Sequence, residues 1–88
     1  MRACVLLDAD GRLVSVDAAH EGDGEALAEL AMQLLGRAGT DQVEVSTGAG
    51  IVYALRLGEW TLAVIAGRFA LSSLVFFDMR QTLEELAA

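Results

Sequence analysis

Residues 24–36, GEALAELAMQLLG, decide how the rest of the chain must fold. Leu27, Leu30, Ala31, Leu34 and Leu35 follow the i, i+3, i+4, i+7, i+8 spacing of a buried helical face, while Glu25, Glu29, Gln33 and Arg37 recur every fourth residue as a polar ridge. At ~100° per residue, Ala28 and Met32 widen the apolar arc to roughly 200°, against the ~100° stripe that packing on one sheet requires. The helix therefore needs a second covering surface, either more of this chain or another copy of it. Its N-cap is expected at Asp23, and Gly36 or Gly39 closes its C-terminus.

Upstream of the helix, the apolar run at residues 3–7, the cluster Asp8-Ala9-Asp10-Gly11 and the run Leu13, Val14, Val16 read as a β-hairpin with a tight turn. A polar connection, residues 17–23, then carries His20, the only histidine. Downstream, Val43, Val45 and Thr47 alternate with Gln42, Glu44 and Ser46, the period-2 pattern of a strand with one polar face, which suits a sheet edge. Gly48–Gly50 and Gly58-Glu59 turn the chain into two further strands, residues 51–57 and 60–66. Both are apolar on both faces, as central strands covered above and below would be. A second helix spans residues 71–86, with Leu71, Val75, Met79 and Leu83 as its i+4 ridge, Phe76 and Leu86 alongside, and Leu74 and Phe77 on its polar side. The order β-β-α-β-β-β-α gives an α+β fold: a five-stranded antiparallel sheet with a helix on each face.

The 88 residues make one domain, 1–88, close to the size at which association between subunits supplements a small core. A hydrophobic content of 55% excludes disorder. No apolar run reaches the ~18 residues of a membrane span. The N-terminal run meets Asp8 after five apolar residues, too few for the core of a secretion signal, so a cytoplasmic location is expected. The net charge of −7 repels nucleic-acid phosphates and anionic lipids. All six basic residues are arginine, which removes Schiff-base lysines and phosphate-loop lysines from consideration. Cys4 is the only cysteine, and its place in a strand makes it a small core residue.

No constellation of residues supports catalysis. Leu6-Leu7-Asp8-Ala9-Asp10-Gly11 resembles the first motif of haloacid dehalogenase-type phosphatases, but that chemistry also requires a lysine; a turn in which aspartate accepts local hydrogen bonds accounts for the residues. A calcium loop fails for want of a bidentate glutamate at its twelfth position. His20, among Asp17, Glu21 and Asp23, offers one nitrogen donor in a solvated loop, a poor metal site. Gly48-Ala49-Gly50 leads into a strand, whereas a phosphate cradle leads into a helix. Tyr53 and Trp60 are expected to pack in the core or at an interface. Neither a cofactor nor an enzymatic activity is expected.

The hairpin CVLLDADGRLVSV, the loop and helix EGDGEALAELAMQLLGRAG, the meander QVEVSTGAGIVYALRLGEWTLAVIA and the closing helix together resemble the Roadblock/LC7 family, which includes MglB-like proteins and the dynein light chain roadblock. The resemblance covers nearly the whole chain and implies a profilin-like sandwich acting as a dimeric adaptor or regulator of small Ras-like GTPases. It implies dimer contacts at Leu27, Leu30, Ala31 and Leu34 of the first helix and at Gln42, Val43, Glu44, Val45, Ser46 and Thr47 of the edge strand. Val45→Pro is expected to remove a backbone donor from that edge. Two helices paired across a two-fold axis would join their ridges, Glu25, Glu29, Gln33 and Arg37, into an acidic surface that steers a basic partner. Family members usually begin with an additional helix that has no counterpart here, leaving part of the sheet beside the closing helix open. The alternatives are a small-ligand sensor, stable as a monomer with an internal pocket, or a scaffold subunit with no GTPase partner. Almost entirely aliphatic inward positions disfavour the sensor.

Overall fold

The computed structural model describes residues 3–18 and 22–87. His20 and Glu21 lie outside the described residues. The chain runs β1 (Ala3–Leu7), β2 (Leu13–Ala18), α1 (Asp23–Ala38), β3 (Gln42–Thr47), β4 (Gly50–Leu57), β5 (Trp60–Ala66) and α2 (Ser72–Ala87). The strands form one antiparallel sheet in the order β2-β1-β5-β4-β3. The two-sided apolar strands β4 and β5 are interior, and the polar-faced β3 is an edge, as their patterning requires.

Alternation along the strands divides the core in two. Val5, Leu7, Val52, Ala54 and Ala63 meet Leu27, Ala31 and Leu35 of α1 on one face. Tyr53, Leu55, Leu62 and Val64 meet Met79 and Leu83 of α2 on the other. Gly24, buried in the first turn of α1, lets that helix settle on Val16: a Cβ there would come within 2.5 Å of the valine Cγ1. The β1–β2 turn is held by the Asp8 carboxylate, whose Oδ1 accepts the backbone N–H groups of Asp10 and Arg12 at 2.9 and 3.0 Å, while Gly11 takes φ +79°.

Two expectations change and one alternative is settled. The N-cap of α1 is Gly22, in the left-handed region and without a side-chain cap, and Asp23 is the first helical residue, where its charge still complements the helix dipole. Gly39, not Gly36, closes that helix, donating its N–H to the Leu35 carbonyl. In α2 only Met79 and Leu83 of the ridge are fully buried; Leu71 precedes the helix and is 65% exposed, and Leu86 is 43% exposed. The helix lies over β4 and β5, so its first and last apolar residues overhang the sheet. Cys4 and Leu6 of β1 remain only half-buried on that face.

Candidate interaction surface

The two edges of the sheet differ. β2 carries a register shift opposite Leu6/Leu7, an irregularity that discourages edge-to-edge pairing. β3 pairs with β4 in unbroken register from Gln42↔Leu55 to Thr47↔Gly50. The Arg56 N–H donates to the Asp41 carbonyl at 2.8 Å, which sets the phase of this ladder: residues 41, 43, 45 and 47 bond inward to β4. Gln42, Glu44 and Ser46 therefore present their N–H and C=O groups outward, a row of three donors and three acceptors on a straight edge. The N–H of Val45 is used within the sheet, so Val45→Pro would damage the β3–β4 ladder; Ser46→Pro is the substitution that removes an outward donor.

The side chains of this strand sort by face. Val43, Val45 and Thr47 are half-buried toward α1; Gln42, Glu44 and Ser46 are exposed on the α2 side. There the Ser72 hydroxyl donates to Glu44 Oε2 at 2.8 Å, and Arg80 donates to Gln42 Oε1 at 3.2 Å.

The α1 residues expected at an interface divide in the same way. Leu27 and Ala31 are buried within the protomer core, 6% and 0% exposed, whereas Leu30 and Leu34 pack only partly against it and keep surface on the flank beside β3. That flank borders a half-open cleft of 350 Å³, walled by Ala3, Leu27, Leu30, Val52 and Ile65, with Asp23, Ala26, Thr47 and Ala49 also lining it. Thr47 Oγ1 is occupied by its own turn, donating to the Gly50 carbonyl and accepting from the Ala49 N–H. The cleft thus lacks the converging polar groups of a small-ligand site.

Glu25, Glu29, Gln33 and Arg37 are all exposed, but the ridge winds around the helix. Glu25 and Glu29 border a shallow depression with Gly11, Leu13 and Met32 beside the β1–β2 hairpin. Arg37, seven residues on from Leu30, falls on the opposite flank, the one beside β3. One exposed apolar group was not singled out as a surface by spacing alone: Phe69, Leu71, Leu74 and Phe77, 97%, 65%, 57% and 57% exposed, around the start of α2. Leu74 and Phe77 on the polar side of the helical wheel were the available signal.

No family model matches the sequence, and no curated protein matches it. Solved structures do. A Roadblock/LC7 domain from Streptomyces avermitilis superposes with a TM-score of 0.81 at 27% identity, covering 97% of this chain and 81% of that one. Its fold is the Roadblock/LC7 fold. A second Roadblock/LC7 structure from Streptomyces avermitilis gives a TM-score of 0.75 at 25% identity, covering 94% of this chain and 80% of that one. Myxococcus xanthus MglB gives 0.73 at 21% identity, covering 97% and 79%, a likeness of fold. No helix among the described residues is long and apolar enough to cross a membrane.

Proposed function

We propose that this chain is a non-catalytic, cytoplasmic adaptor that dimerises through β3 and the adjoining flank of α1 and that binds or regulates a small Ras-like GTPase. The observation that carries the dimer is the straight, outward-bonding edge of β3 beside the half-exposed Leu30 and Leu34: an unblunted edge next to apolar surface is a template for pairing with another chain. A second copy joined there extends one sheet through both protomers and sets two α1 helices side by side. Glu25 and Glu29 of each copy then face away from the seam, beside the β1–β2 hairpin, as an acidic patch on each protomer suited to a partner with basic residues. The GTPase comes from the resemblance to Roadblock/LC7 and MglB-like proteins.

The test is a binding assay of the protein against the small Ras-like GTPases of its own genome, each loaded with GDP or with a non-hydrolysable GTP analogue. At least one GTPase is expected to bind, and Glu25→Lys with Glu29→Lys is expected to weaken that binding while the solution mass stays unchanged. Absence of binding to every GTPase in both nucleotide states overturns the partner. Undiminished binding by the charge-reversed protein overturns the acidic surface.

A further inference from the structure

The face of β4 and β5 toward α1 is apolar except at one place. There β4 presents Val52 and Ala54, and β5 presents Ala63 and Ile65, but the next position on each strand is polar: Arg56 on β4 and, directly opposite it in the register, Thr61 on β5. Leu7 of β1 is the partner of Thr61 on its other side, so the chain carries Asp8 past the same pair. With Glu59 and with Met32 of α1, these residues line a half-open hollow of 370 Å³ at the end of the sheet where the β1–β2 and β4–β5 turns lie.

The polar groups of the hollow are held in place but left unused. Thr61 is only 3% exposed, and its hydroxyl has no hydrogen-bond partner among the described residues. No fully sealed side-chain oxygen or nitrogen among the described residues lacks a partner, so this hydroxyl keeps its surface at the hollow it lines. Arg56 is half-buried, its backbone anchored by the N–H it donates to the Asp41 carbonyl, and its guanidinium has no ion pair or hydrogen bond among the described residues. Asp8 spends one carboxylate oxygen on its turn: Oδ1 accepts from both Asp10 and Arg12, which fixes the carboxylate and leaves Oδ2 without a partner among the described residues. Glu59 is set by a two-residue turn whose first member, Gly58, takes φ +60°.

The mixture of charges selects the ligand. A lone anion such as phosphate would meet Arg56 but also two carboxylates, and a lone cation would meet the guanidinium. No group of three or more His, Cys, Asp or Glu side chains able to hold a metal ion occurs among the described residues. A carboxylate and an ammonium borne on the same carbon satisfy both signs at once.

We propose that this hollow binds a small zwitterion of the α-amino acid class, its carboxylate on the Arg56 guanidinium, its ammonium on Asp8 and Glu59, and its side chain against Met32. The Thr61 hydroxyl donates a further hydrogen bond to the ligand carboxylate. No residue of the hollow belongs to β3, so the site stands or falls independently of the proposed dimer and its GTPase partner.

The test is a titration of the isotope-labelled chain with L-alanine, L-valine, L-leucine and L-methionine, followed by NMR at the backbone amides of Gly58, Glu59 and Thr61. Acetate, methylammonium and inorganic phosphate probe each charge alone. At least one amino acid is expected to shift these amides saturably with a Kd of about 1 mM or tighter, and the single-charge probes to bind at least about tenfold more weakly. Arg56→Gln is expected to raise that Kd about tenfold or more. Asp8→Asn, whose Oδ1 still holds the turn, is expected to do the same while the amide positions of the β1–β2 turn stay in place. Thr61→Val, which keeps the side chain's shape, is expected to weaken binding about fivefold. A panel in which no amino acid shifts these amides overturns the site. Phosphate or acetate binding as tightly as the amino acids, which would mark an anion site only, also overturns it, as does binding that Arg56→Gln leaves unchanged.

Discussion

Tyr53 and Glu44 sit opposite each other on β4 and β3, and the hydroxyl of Ser72 joins them. The Ser72 oxygen lies 3.2 Å from the Tyr53 hydroxyl and 2.8 Å from Glu44 Oε2. Because Ser72 donates to the carboxylate, the tyrosine donates to Ser72, and a residue with no exposed surface has its one polar atom satisfied at the first turn of α2. The Tyr53 ring meets Phe76 of the same helix edge to face, with centroids 5.3 Å apart. The seat of α2 on the sheet is thereby tied to the edge strand.

Removing the link should reveal the order of donation. Ser72→Ala is expected to cost about 1–2 kcal/mol in urea unfolding, because the tyrosine hydroxyl loses its acceptor. Adding Tyr53→Phe should recover part of that loss, since the orphaned group is gone. Additive losses in the double variant would contradict the relay.

Gly50 opens β4 with φ +141°, and a Cβ at this position would run into the carbonyl oxygen of Ala66 on β5. Gly50→Ala is expected to destabilise the fold by about 2 kcal/mol or more, whereas Gly48→Ala, with open space around it, should change stability by less than about 0.5 kcal/mol. Thermal unfolding of the two variants distinguishes them; equal effects would contradict the close approach.

Burial, and secondarily the negative charge of Asp17, push the Cys4 thiol above its ordinary value. The folded state therefore keeps its proton when the unfolded chain loses it, so this contribution is intact below about pH 8.5 and fades as pH rises through the alkaline range. Wild type is expected to lose more stability than Cys4→Ala between pH 7 and pH 10 in urea titrations. Parallel pH profiles would contradict it.

The fold was legible because period decides it: strict alternation in β3, two-sided apolarity in β4 and β5, and the 3.6-residue spacing of α1 each admit one placement. What the sequence left open depended on position in three dimensions. Nothing in the order of residues tells whether Val45 or Ser46 bonds outward, since that phase is set by the Asp41–Arg56 bond across the ladder. Leu71 fits the apolar ridge of α2 yet stands exposed, because the helix begins one residue later and overhangs the sheet. The wide apolar arc of α1 was readable as a surplus. Only the structure divides it into Leu27 and Ala31, consumed by the protomer, and Leu30 and Leu34, which retain surface.

The most direct measurement is solution mass by light scattering over a wide concentration range, for wild type and Ser46→Pro, with circular dichroism to confirm that both are folded. Pairing through β3 predicts a wild-type dimer and a folded, largely monomeric Ser46→Pro, because the N–H that is lost points away from the β4 ladder. A wild type that stays monomeric at every concentration, or a Ser46→Pro variant that dimerises as tightly as wild type, would contradict it.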